Sequence, residues 1–129
     1  MMVMNKKNKI VVLVGSLKFW NKIQEMHEKL ELQGYAVIGI TPHVMERKYT
    51  KEEEDLLDEL QMSKIKLADA IFVVNVNQYI GFSTSREIEF AKSLNKEIMY
   101  LEDVNGKRIN WFIMRKANFL GGKSNEFIG

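Results

Sequence analysis

The chain of 129 residues is 46% hydrophobic and 28% charged, the balance of a globular protein with apolar mass for one core, so a single domain over 1–129 is expected. The absence of cysteine excludes disulfides, thiolate metal sites and a cysteine nucleophile, and His27 and His43 lack a partner ligand at i+3 or i+4, so neither a metal nor another cofactor is expected. A formal net charge of +2 carries no basic stripe for nucleic acid, no apolar run nears the roughly 20 residues of a bilayer span, and MMVMNKKNK has no hydrophobic signal core, so a cytoplasmic protein binding neither nucleic acid nor membrane is expected.

Ile10 to Val14 (IVVLV) is a continuous β-branched run without alternation, which predicts a strand covered on both faces and ended by Gly15 and Ser16. From Lys18 to Gln33, Phe19, Ile23, Met26 and Leu30 recur at helical spacing, and Gly34 supplies the stop. Trp20 and His27, seven residues apart, read as packing residues on one side of that helix. Tyr35 to Ile40 gives a second strand, broken at Thr41-Pro42 before a polar stretch reaching Tyr49. Thr50 and Glu53 form a capping box for a second helix carrying Leu56, Leu57, Leu60 and Leu67 and ending near Ala68.

Ala70 to Val76 is the third strand, and NQYIGF leads to STSRE, a helix start continued by Ile88, Ala91 and Leu94. Lys96 to Leu101 gives the fourth strand. Asn105-Gly106 is a turn signal, after which KRINWFIMRKANFL reads as a strand, a helix, or both in succession. The core is expected within residues 9–102, with 1–8 and 103–129 peripheral.

Strands alternating with helices predict an α/β fold: a doubly wound parallel sheet of order 2-1-3-4, with a fifth strand if the C-terminal segment supplies one, in three layers α/β/α. In that order the first and third strands are neighbours whose connections leave on opposite faces, opening a crevice at their carboxyl ends. The loops that meet there run from Gly15 to Phe19 and from Asn75 to Thr84, which locates one small-molecule site.

The common phosphate signatures are missing: neither GxGxxG nor GxxxxGK[ST] occurs, and Gly-Ser stands where a phosphoacceptor receiver domain needs paired acids. In GSLKF, Gly15 lets backbone approach a ligand, Ser16 and the amides of a helix start hold an anion, and Lys18 adds positive charge. The same residues also read as a tight turn with Ser16 as an N-cap. Asn75 inside an apolar strand and Asn77 just beyond it need partners, in a ligand or in the neighbouring loop.

Glu87 carries the most chemistry. In the first helical turn the dipole and free amides favour its carboxylate near neutral pH, and such a group attacks an anomeric carbon or stabilises its oxocarbenium character. The alternative is a capping box, Thr84-Ser85-Arg86-Glu87, with no chemistry at all. Glu89 is rotated about 200° from Glu87 and points away. Arg86 reads as a solvated cation or a phosphate ligand, and Tyr79 and Phe82 as base-stacking rings or as loop anchors.

GSLKF followed by LADAIFVVNVNQYIGFSTSREIEFA resembles the nucleoside 2-deoxyribosyltransferase-like superfamily, particularly a small bacterial and phage branch with a GSTRF-type loop and a YIGxSTxxEIxxA segment. The similarity spans Lys9 to Glu102. It implies a flavodoxin-like, Rossmann-like sheet and places Glu87, in EIEFA, on the family's nucleophile for the sugar C1′. Gly15 and Ser16 fall on the loop that holds sugar or phosphate, with Ser83 and Thr84 near the same groups; Lys18, Phe19, Asn75, Asn77 and Gly81 complete the candidate substrate-binding set.

Two departures stand out: Gly81 replaces a polar residue six positions before the glutamate, and Gln61 replaces an acid found in some hydrolases. The resemblance also implies a homo-oligomer, with 111–120 as a candidate interface. The expected activity is cleavage or transfer at the N-glycosidic bond of a nucleoside or nucleoside monophosphate. The competing expectations are a non-catalytic nucleotide-binding or sensing module in the same crevice, and a fold that only presents an interaction surface.

Overall fold

The computed structural model describes residues 8–104. The segment 107–120, whose structure the sequence leaves open, lies outside the described residues, and with it any fifth strand and the candidate interface over 111–120.

Four parallel strands, β1 (Ile10–Gly15), β2 (Ala36–Ile38), β3 (Ala70–Val74) and β4 (Glu97–Tyr100), form one sheet in the order β2-β1-β3-β4, as expected. Three helices connect them: α1 (Trp20–Leu32), α2 (Lys51–Leu67) and α3 (Phe82–Ser93). The central pair is in register from Val11 opposite Ala70 to Gly15 opposite Val74. Among the described residues no helix is long and apolar enough to cross a membrane.

The unbroken apolar run of β1 is explained by the two faces it feeds. Val11 and Leu13 pack with Phe72, Val74 and the Ile23, Met26 and Leu30 stripe of α1 on one side. Val12 and Val14 pack with Ile71, Val73, Ile65 of α2 and Ile88 and Ala91 of α3 on the other. The connection after β1 therefore runs on one face and those after β2 and β3 on the opposite one, giving three layers.

Element ends differ from the sequence expectation where side chains intervene. β2 pairs only through Ile38, so it is shorter than Tyr35 to Ile40. β3 stops at Val74 because Asn75 turns away to bond the segment after β4, and Val76–Gln78 form a 3-10 turn. A 3-10 turn over Leu17–Phe19 precedes α1, whose regular part starts at Trp20.

The Thr50 capping box is present in both directions, with Glu53 N donating to Thr50 Oγ1 at 3.1 Å and Thr50 N to Glu53 Oε1 at 2.9 Å. The leucines of α2 are not its core face: Leu56, Leu60 and Leu67 are exposed, and Ile65 and Gln61 are buried instead.

Phe72, 1% exposed at the centre of β3, is a sharp test of this packing. Phe72→Ala should lower unfolding free energy by about 3–5 kcal/mol through lost burial and a residual cavity, with an unchanged m-value in urea denaturation.

Candidate active site

A cavity of about 560 Å³ lies at the carboxyl ends of β1 and β3, the size of a small-molecule pocket. Gly15, Ser16 and Leu17 line it from the end of β1; Ile40, Thr41, His43 and Tyr49 from the β2–α2 connection; Glu54, Leu57, Asp58 and Gln61 from α2. Tyr79 and Gly81, with Phe82, Ser83, Thr84 and Glu87 of α3, complete it.

Gly15 is required by the sheet itself. Its φ is 157°, and a Cβ there would sit 3.2 Å from both the Cβ and the carbonyl oxygen of Val74. The glycine thus brings β1 against β3 and carries the chain into the cavity wall. Ser16 does cap the following turn, its Oγ accepting from Lys18 N at 3.3 Å. Ser16 thus caps the turn and lines the cavity at once.

The start of α3 corrects the sequence expectation. The helix begins at Phe82 with Gly81 as N-cap, one turn earlier than a box at Thr84 requires, so no Thr84–Glu87 capping box forms. Glu87 is the sixth helical residue, in the second turn, where the dipole acts weakly. Thr84 is buried in the first turn and faces the cavity. With no side-chain cap from Gly81, the first-turn amides of Phe82, Ser83 and Thr84 present the positive helix end there.

Glu87 consequently does not behave as a dipole-stabilised carboxylate. Burial pushes its pKa up from 4.5 to about 7, the negative charge of Asp58 adds to the rise, and Arg86 and Lys64 oppose it without cancelling it. Lys64 is itself engaged, donating to the Gly39 carbonyl at 3.2 Å. A half-buried acid titrating near neutrality on a cavity wall is poised for proton transfer or nucleophilic attack.

Of the candidate residues, Gly15, Ser16, Gly81, Ser83, Thr84 and Glu87 converge on the cavity, whereas Lys18, Phe19, Asn75 and Asn77 do not line it. Lys18 Nζ lies 3.5 Å from the centroid of the Tyr79 ring, and Phe19 meets the same ring edge-on at 5.8 Å, so these two hold Tyr79 at the cavity edge. Asn75, fully buried, accepts from Glu102 N at 2.8 Å and donates to the Glu102 carbonyl at 3.0 Å. Asn77 N donates to Glu102 Oε2 at 3.0 Å from a left-handed backbone conformation. The two asparagines fasten the loop before α3 to the segment after β4.

Tyr79 reaches the wall and Phe82, 79% exposed, its rim. Arg86 is exposed with its guanidinium over the Phe82 ring, and Glu89 points outward toward Lys92, as its rotation demands.

Of the opposite wall, the sequence singled out only Gln61, as a departure, and Leu57, as an apolar helix position, and assigned neither to the site. Glu54, Leu57, Asp58 and Gln61 fall at i, i+3, i+4 and i+7, a single helix face, and that spacing was the available signal. Gln61 is buried and donates to the Leu13 carbonyl at 3.2 Å. Asp58 stands one turn before it, so the cavity keeps an acid on α2 although position 61 has none.

The chain is thus a three-layer α/β/α protein with a cavity at the switch point of a doubly wound sheet, lined by Glu87 and Asp58 among others. Neither a family model nor a curated protein matches its sequence. Among solved structures it is similar to the CMP N-glycosidase BcmB of Clostridium botulinum, with a TM-score of 0.50 and 22% identity over 71% of this chain and 70% of that one. At that identity the likeness is one of fold.

The raised pKa makes Glu87 a stability liability with a definite sign. The folded protein holds this proton more tightly than the unfolded chain, so stability contributed by protonated Glu87 is lost as pH rises from about 4.5 to about 7. Glu87→Gln should therefore be more stable than the native protein by on the order of 2 kcal/mol at pH 8 and no different at pH 4, measured by denaturation at both values.

Proposed function

We propose that the protein cleaves, or transfers across, the N-glycosidic bond of a nucleoside or nucleotide. The observation that carries this reading is Glu87: a half-buried acid with a pKa near 7 on the wall of a nucleoside-sized cavity, facing the charge of Asp58. The fold likeness to an N-glycosidase and the resemblance of EIEFA to a nucleophile-bearing segment support it independently.

In this reading ionised Glu87 attacks C1′ of the sugar. The new C–O ester bond forms as the C1′–N bond breaks, and the bonding electron pair leaves with the base, which takes up a proton. Water, or a second base, then displaces the carboxylate from C1′ and restores Glu87. Asp58, ionised across the cavity, is the acceptor at hand for the proton that the attacking water loses, and the departing base takes its proton from solvent. Ser16 and the first-turn amides of α3 hold the sugar hydroxyls, the role a helix start fills for polar groups.

The nucleophile must be ionised to act. Base release, followed chromatographically with a panel of nucleosides and their 5′-monophosphates, should rise about tenfold per pH unit below 7 and level off above it. Glu87→Gln should lower kcat/KM by at least about 10³-fold. A rate that instead falls above pH 7 would make Glu87 the proton donor. Ligand-induced thermal stabilisation without any base release would reassign the cavity to binding or sensing.

A further inference from the structure

The α2 side of the cavity carries its own chemical specification, which narrows the proposed function and rests on it. If Glu87 faces C1′ while Ser16 and the start of α3 hold the sugar end, the base projects toward the β2–α2 connection and the first two turns of α2. That wall offers two rings and two acids. His43 and Tyr49 are already paired, centroids 4.7 Å apart and tilted by 50°. Glu54 and Asp58 lie one helical turn apart on the same face of α2, both on the cavity.

The wall is pre-positioned. Arg47 forks onto Glu53 with both nitrogens at 2.8 Å, and its guanidinium lies 5.8 Å from the centroid of the Tyr49 ring. Glu53 in turn bonds Thr50 N as half of the capping box. The connection that carries Tyr49 is therefore anchored at the start of α2, and Tyr49 is held at the cavity wall before any ligand arrives.

Carboxylates only accept hydrogen bonds, so their preferred partner is a donor. An exocyclic amine, as on cytosine or adenine, supplies one; a carbonyl at the same ring position, as on uracil or hypoxanthine, would set lone pairs against lone pairs. With Glu87, three carboxyl groups line this cavity, and among the described residues no lysine or arginine does. A 5′-phosphate would add negative charge to that set.

We infer that the cavity selects an uncharged nucleoside whose base bears an exocyclic amine, stacked on the His43–Tyr49 wall and read by Glu54 and Asp58, and discriminates against the 5′-monophosphate.

The test compares base release from cytidine, uridine and cytidine 5′-monophosphate, with adenosine and inosine as the purine pair. The native protein should prefer cytidine over uridine and adenosine over inosine by about tenfold in kcat/KM, the worth of one hydrogen bond to a charged group. The monophosphate should trail cytidine by a margin that shrinks with added salt. Glu54→Gln, at the cavity edge, should narrow both gaps, and Tyr49→Ala should raise KM for every substrate. Glu87-dependent release that favours the monophosphate, or treats cytidine and uridine alike, would overturn the inference and leave the glycosidase reading intact. No release from any of the five, with no thermal shift, would overturn both.

Discussion

The site depends on how closely two strands approach. β1 and β3 lie side by side at the centre of the sheet, and at their carboxyl ends Gly15 passes Val74 so closely that even a Cβ would be crowded, at 3.2 Å. From that contact the two chains diverge, one into the turn before α1 and the other into the loop before α3, on opposite faces of the sheet. The hollow between them is a consequence of parallel pairing with opposed exits, a geometry the apolar composition of both strands enforces because each must be covered twice.

Whatever chemistry Glu87 performs is set by where α3 starts. A capping-box glutamate in the first turn would be solvated, tied to its own backbone and held ionised by the helix dipole. Starting the helix at Phe82 moves Glu87 into the second turn, against the covered face, and removes both sources of stabilisation. Burial then dominates, with the charge of Asp58 from α2 adding to it. The acid is held ionisable at a cost to the fold. Glu53 shows the opposite outcome within the same chain: bonded by Arg47 and by the Thr50 amide, its carboxyl is held down at about 2.

The architecture was legible in the sequence because the strand runs and helix stripes are strongly patterned. IVVLV and AIFVV admit little besides buried parallel strands, and their alternation with helical stripes fixes the order of winding. Half of the cavity was legible for the same reason, since the switch point follows from topology alone. The other half was not, because it depends on which face of α2 turns inward. The four leucines of α2 suggested an apolar stripe, yet three of them are exposed, and a mixed stripe of two acids, a leucine and a glutamine faces the cavity. Asn75 and Asn77 illustrate a different limit. Their need for partners was readable, but the partner, Glu102, lies 27 and 25 residues away and is brought near only by β4.

The two walls then divide the work by their chemistry. The α3 side supplies a hydroxyl, backbone amides and a carboxyl near neutrality, groups suited to holding a sugar and attacking it. The α2 side supplies rings and acceptors, groups suited to recognising a planar heterocycle. Asp58 belongs to both, since it lines the α2 side and its charge shifts the acid opposite. An interaction that orients the base on this side would thereby also set how much of Glu87 is ionised, because a donor bonded to Asp58 offsets part of the negative charge that raises it. Ligand contact on α2 and ionisation on α3 are thereby coupled through that one carboxylate, and a ligand that leaves Asp58 unanswered leaves Glu87 less ionised.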